Sequence, residues 1–452
     1  MNDGWAGDGR RAAEATPTVL GLNSRCIATV RRLLDLAGTS FVGHSAIIFA
    51  GFSLASLLGF VFQVASARLL QPGEFGVMQY ALAIAELAGV LVTVSPVGLS
   101  TFLSRYREDA AKARAYYSSW LVVVGAMLLS SLIVTAAAAP AVVGITGWLL
   151  VGVLANLLGV TALETYREVA RGLDRFLLVS VFYVVANLLQ LLAILGAAAL
   201  GHRSAALFVI VYGLSSVVTL VGMLLASPLR LSLALPIRRE QMWEVLRFAQ
   251  PVLAQSVFFT VWFRADVVVL ERLQGSVAVG EYSAAKTLTY ALQLAPSAVA
   301  FVLLPRIPRV PVTQLRGYLR RVLAVDALVI VPPILLIMAA AGPIIQLVFG
   351  ERYAGAVAPL VVLAFGTGLL SFSLIFADLW LGLRRPVVDM ASTALGMAVT
   401  VVAALLLVPR FDLMGAALAF TLGGAVRLGA AGVYTAVFLG RIVSRAQEEG
   451  PN

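Results

Sequence analysis

The chain has 452 residues, of which 60% are hydrophobic and only 12% charged. Soluble globular domains carry about a quarter charged residues, so this composition belongs in lipid. The net charge of +10 is not clustered on a soluble face and excludes a nucleic-acid reading. The lone Cys26 rules out an intrachain disulfide, a CxxC pair and a thiolate metal site, and His44 and His202 lack HExxH-like neighbours. No metal and no cofactor are expected.

The segment 1–40 carries Arg10, Arg11, Arg25, Arg31 and Arg32 ahead of the first apolar run and mimics a signal peptide. The run from Phe41 to Val64 exceeds the roughly 7 to 15 residues of a signal core, so a retained first helix is expected. Apolar stretches then predict helices at Phe75–Leu99, Ser119–Ala139, Val142–Leu163, Phe176–Leu200 and Ser204–Ala226. After a basic stretch come Phe248–Leu270, Ser283–Leu304, Val322–Leu347, Ala354–Gly382, Val387–Val408 and Leu413–Leu439. The expectation is an all-α polytopic membrane protein of about twelve helices. Pro96, Pro251, Pro296, Pro332, Pro333 and Pro359 predict kinks.

Counting Lys and Arg by loop gives 25 on the side of the N-terminus and 6 on the other, with Arg264 and Arg427 inside helices. By the positive-inside rule both termini are cytoplasmic. The halves also repeat. Gly73-Glu74-Phe75 matches Gly280-Glu281-Tyr282, and ARGLDRF from Ala170 matches LGLRRPV from Leu381 at nearly the same offset. Duplication of a six-helix unit predicts two lobes, 41–226 and 248–439, related by a pseudo-two-fold axis along the membrane normal. A cytoplasmic linker, 227–247, joins them, and 440–452 forms a cytoplasmic tail. A cavity is expected between the lobes.

Four ionisable residues lie inside predicted helices: Glu86, Arg264, Asp266 and Arg427. At the bilayer centre such a group costs about 2.5–3.5 kcal/mol on insertion scales, so each is expected to face a cavity or a buried partner. Arg264 and Asp266, two residues apart, point in different directions and need partners on other helices. Gln293 takes the place of Glu86 in the second copy and extends the polar lining. Tyr80, Asn156, Asn187, Gln190 and Tyr290 are further polar candidates. Arg68 and Lys286, near the outer ends, are candidate gate residues, while Glu164, Asp326, Asp378 and Asp389 are expected to pair with nearby arginines at the cytoplasmic ends.

RLLQPGEFG from Arg68, FRADVVVLERLQGSVAVGEYSAAKTL from Phe263, LLPRI from Leu303 and FGERYAGAVAPL from Phe349 occur in an order that resembles polysaccharide transporters. These are the O-antigen and exopolysaccharide flippases of the multidrug/oligosaccharidyl-lipid/polysaccharide exporter superfamily. The resemblance implies translocation of undecaprenyl-pyrophosphate-linked oligosaccharide across a bacterial cytoplasmic membrane, without catalysis. It also implies membrane lipids, a coupling ion (H+ or Na+) and other polysaccharide assembly proteins as candidate partners. A guanidinium suits a pyrophosphate, which favours Arg264 and Arg427 as substrate ligands. Two other classes stay open: a cation-coupled multidrug exporter, for which Asp266 is the relevant carboxylate, and a membrane polymerase or ligase. The short outer loops and the duplication count against the enzyme.

Overall fold

The computed structural model describes residues 41–448, apart from 95–97, 227–238, 294–295, 297–306, 308–309, 312–313 and 384. The expected N-terminal segment lies outside these residues, as do most of the linker and the end of the tail. Residues Met1–Ile48 form one unit and Phe49–Asn452 a second. The architecture below is that of the second.

In chain order the helices are α1 (Phe41–Leu69), α2 (Pro72–Val94), the short α3 (Leu99–Arg105), α4 (Ala110–Ala138), α5 (Gly147–Gly172), α6 (Phe176–Ala199) and α7 (Ala205–Ala226). They continue as α8 (Arg239–Gln274), α9 (Ser276–Leu292), α10 (Leu315–Ala339), the short α11 (Ala341–Val348), α12 (Val357–Gly382) and α13 (Pro386–Glu448). No strand occurs among the described residues. Among the described residues, ten helices are long and apolar enough to cross a membrane. The last of these runs through Asp412, whose φ of 49° reverses the chain, so that Gly415 returns beside Leu407 and Gly423 beside Thr400. That helix therefore makes two passes. Ser276–Leu292, α9, is seventeen residues long where it is described and is not among those ten.

The burial pattern is that of a protein solvated by hydrocarbon. Leu129 and Ile133 on α4 are each 60% exposed, whereas Ser119, Thr393 and Asp266 are completely buried. Apolar side chains gain nothing by leaving lipid, so small and hydrogen-bonding residues share the interior with large ones such as Trp120, Phe75 and Phe208. Outside the apolar spans, ordinary capping applies: Asp109 accepts the Lys112 backbone N–H at 3.0 Å to start α4. That bond holds its carboxyl below the usual range.

The two halves of the chain meet tightly at one end of the bundle. Here α2 and α9, which carry the duplicated Gly-Glu motif, touch backbone to backbone. A Cβ on Gly76 would fall 1.7 Å from the Ser276 carbonyl oxygen, and one on Gly280 would fall 1.9 Å from that of Pro72. Arg68 donates through Nε to the Val348 carbonyl at 2.7 Å and through Nη2 to that of Leu347. The Tyr353 hydroxyl donates to the Ala67 carbonyl at 2.8 Å, and its ring meets Phe75 edge to face.

At the opposite end the expected boundary shifts. The final residues of the predicted linker, from Arg239 onward, are helical and open α8. They lie against the first half, where the Tyr116 hydroxyl donates to Glu244 at 2.5 Å and Phe102 meets Phe248 edge to face. Farther on, α8 packs with α13 of the second half, through Gln255 to Asp389 and Trp262 stacked on Phe420. One helix thus belongs to both halves. Pro251 and the Pro332-Pro333 pair sit inside α8 and α10 without ending them.

Candidate functional site

Between the halves lies a cavity of about 430 Å³ walled by α1, α2, α6, α7, α8 and α9. Helical spacing explains the wall. Gln79, Leu82 and Glu86 recur at intervals of three and four on α2, and Asn187 and Gln190 do the same on α6, so each set shares one face. Gln63 comes from α1, Tyr212 from α7, Arg264 from α8, and Thr287, Tyr290 and Gln293 from the end of α9. Amides and phenols make up much of the polar part of the wall, and among the described residues its formal charges are Arg264 and Glu86.

These two charges form one ion pair across the cavity wall. Arg264 donates from Nε to Glu86 Oε2 at 2.6 Å and from Nη2 to Oε1 at 2.5 Å, the parallel fork that guanidinium and carboxylate favour. The Arg264 side chain is 18% exposed and that of Glu86 46%, so the carboxylate faces the open space and the guanidinium lies in the wall. Around them, Gln79 donates to Gln63 at 2.5 Å and Asn187 to the Tyr183 carbonyl at 2.8 Å. The Tyr290 hydroxyl and the Gln190 Oε1 are buried with no hydrogen-bond partner among the described residues.

Three of the sequence candidates, Arg264, Glu86 and Gln293, thus share one wall. The others are placed elsewhere. Asp266 is fully buried behind α8, where Oδ2 accepts from Lys286 Nζ and from the Tyr282 hydroxyl, each at 2.5 Å. Lys286, the second gate candidate, is held in the interior. It is 3% exposed, also donates to the Phe263 carbonyl at 2.7 Å, and lies among the rings of Phe263, Tyr282 and Phe420. A charge one turn from a predicted helix end suggests a side chain reaching for the interface, but packing of α9 against α8 and α2 closes that route and Asp266 neutralises it instead.

Arg427, expected as a second cavity cation, is 1% exposed. It pairs with Asp389 at 2.9 Å, donates to the Ser373 hydroxyl at 3.1 Å and lies over the Trp262 ring. Two carboxylates do have arginine partners, Glu164 with Arg167 and Asp389 with Arg427. Asp326 instead accepts from the Ser371 hydroxyl at 2.9 Å. Of the polar candidates, Asn187, Gln190 and Tyr290 line the cavity, while Tyr80 donates to the Val143 carbonyl and Asn156 is buried where α5 meets α7. Gln63, Gln79, Tyr212 and Thr287 were not anticipated. Their signal was present in Gln63 and Gln79, amides in the middle of apolar runs. Among the described residues no cluster of His, Cys, Asp and Glu is suited to a metal ion.

Comparison with known proteins gives this arrangement a family. A polysaccharide biosynthesis protein family model matches residues 66–358, more than half of the chain. No curated protein sequence matches. Among solved structures, a multidrug resistance MATE family transporter of the MOP superfamily, in an inward-facing conformation, superposes with a TM-score of 0.74 at 15% identity over 86% of this chain and 96% of that one. The lipid II flippase MurJ, in an inward closed conformation, gives 0.73 at 12% identity over 86% and 87%. A MOP superfamily transporter from Pyrococcus furiosus gives 0.63 at 15% identity over 88% and 94%. At such identities the structural likeness speaks to fold alone, a fold shared with these MOP superfamily proteins, and the sequence match supplies the family: the chain belongs to the polysaccharide biosynthesis protein family.

Proposed function

We propose that the protein is a flippase that carries an undecaprenyl-pyrophosphate-linked oligosaccharide from the inner to the outer leaflet of a bacterial cytoplasmic membrane by alternating access. The observation that carries this reading is the cavity wall, where one guanidinium sits among amides and phenols between the two halves. A saccharide presents many hydroxyl groups, each needing partners when it leaves water, and amide and phenol side chains supply both donors and acceptors. Tyr290 and Gln190 on that wall hold polar atoms without partners among the described residues. A phosphate group matches the fork of Arg264. The prenyl chain stays in lipid, at no cost in hydrophobic burial.

Charge asymmetry between the loops puts both termini in the cytoplasm. With that orientation the tight end at Gly76 and Gly280 faces outward, and the loading side is the cytoplasmic one. A proton, a sodium ion or the membrane potential drives the cycle, and other polysaccharide assembly proteins supply and receive the cargo. The exporter alternative needs a cavity carboxylate open to an organic cation. Glu86 is the carboxylate on the wall, and both of its oxygens are engaged by Arg264.

Deletion of the gene tests the choice. The expected result is loss of a surface polysaccharide, accumulation of lipid-linked precursor on the inner leaflet, and unchanged resistance to cationic dyes. Normal polysaccharide with lowered dye resistance would favour the exporter.

A further inference from the structure

Glu86 and Arg264 stand on different halves of the chain, and among the described residues the pair is the charge–charge contact on the cavity wall. Both acceptor oxygens of the carboxylate are used by the guanidinium fork, so the Nε/Nη2 edge of Arg264 is occupied while Glu86 is in place. The carboxylate is the more exposed partner, at 46% against 18%, so it can leave the fork by its own side-chain rotation while the arginine keeps its place in the wall.

We infer that Glu86 is a built-in competitor for the anion site at Arg264, an internal carboxylate that occupies the fork until a phosphate-bearing substrate displaces it, and that it thereby sets which solutes are admitted. This deepens the flippase reading and rests on it. A carboxylate and a phosphate offer the same pair of acceptor oxygens to a guanidinium, but the phosphate brings more charge. A neutral sugar or an organic cation cannot take the fork, because removing Glu86 without a replacement leaves Arg264 uncompensated in a partly buried site. Displacement also breaks a bond between α2 and α8, so the two halves lose this tie only when the site is loaded. Glu86 is therefore a specificity-determining residue, whose loss tightens binding while impairing discrimination and release.

The test measures equilibrium binding of farnesyl pyrophosphate, a short prenyl pyrophosphate, to the purified full chain in detergent. Thermal unfolding is followed for every variant. A charge-assisted bond pair released from competition corresponds to about a tenfold change in affinity. Glu86→Gln is expected to bind the probe about tenfold more tightly than the unmodified protein, and Arg264→Gln to lose binding. Glu86→Asp, one methylene shorter and unable to complete both bonds, is expected to lie between the parent and Glu86→Gln. It serves as the readout if Glu86→Gln does not fold. Farnesol, with the same chain and no phosphate, is expected to show no difference between the parent and either Glu86 variant. Equal or weaker pyrophosphate binding by folded Glu86 variants, or retention of binding by Arg264→Gln, would overturn the inference. So would a failure of all forms to bind. The flippase reading is judged separately by the polysaccharide phenotype of the deletion strain, so either idea can fail while the other stands.

Discussion

At the scale of single residues, the interior of this protein is governed by the cost of charge in a medium without water. Asp266 and Lys286 illustrate it: at 0% and 3% exposure neither is solvated, and each is tolerated because the other is 2.5 Å away, with Tyr282 and the Phe263 carbonyl completing the set. Removing one partner leaves the other buried and uncompensated, which costs about 3–5 kcal/mol, whereas replacing both by apolar groups of similar volume is nearly neutral. Asp266→Asn is therefore expected to lower thermal stability in detergent sharply, and the double variant Asp266→Leu/Lys286→Met to recover most of it. A double variant as unstable as the single would show that the pair does more than neutralise itself. The sequence made the need for partners at Arg264 and Asp266 legible, since their separation along the helix forbids a mutual pair. It did not reveal the identities Glu86 and Lys286, because those depend on how α2 and α9 are rotated about their axes, which small-residue contacts decide.

At the scale of helices, glycine sets how closely α2 and α9 approach. The contacts at Gly76 and Gly280 leave no volume for a Cβ, and the obstructing atoms are backbone carbonyls that cannot rotate away. A larger residue at either position must push the helices apart. Gly76→Val is expected to loosen this end, raising the rate at which a cysteine placed at the fully buried Phe75 reacts with a maleimide, in a Cys26→Ala background. An unchanged rate would mean that the close approach is not what shields Phe75. The duplicated Gly-Glu motif marked equivalent positions in the two halves, and the structure adds that the helices carrying it, α2 and α9, meet each other there. Residues far apart in sequence carry no periodic signature of mutual contact, so that meeting was invisible beforehand. The same limit explains α8, whose apolar core was recognised while its polar opening turns, governed by contact with Tyr116 and Phe102, were assigned to a linker.

For the whole molecule, composition alone indicated a lipid-embedded helical bundle, because a chain so poor in charge has no other solvent. Most of the long helices followed from the apolar runs, and the reversal at Asp412 came where Pro409 and Arg410 already interrupt such a run. Orientation rests on loop charge and is open to direct measurement. Cysteines replacing Gly201 or Glu351, both exposed, are expected to react with an impermeant maleimide applied to intact cells, and one replacing Lys112 to react only after permeabilisation. The reverse pattern would invert the assignment of inner and outer faces and with it the direction of transport.

The contacts of Arg68 and Tyr353 bear on how freely this region can change through mutation. Both side chains are received by main-chain carbonyls, those of Val348, Leu347 and Ala67, which every amino acid supplies. Leu347 turns its own side chain outward, 77% exposed. The burden of recognition thus falls on the donors alone. Position 347 is free to drift among apolar residues that suit the surrounding lipid, while Arg68 and Tyr353 are held to guanidinium and phenol.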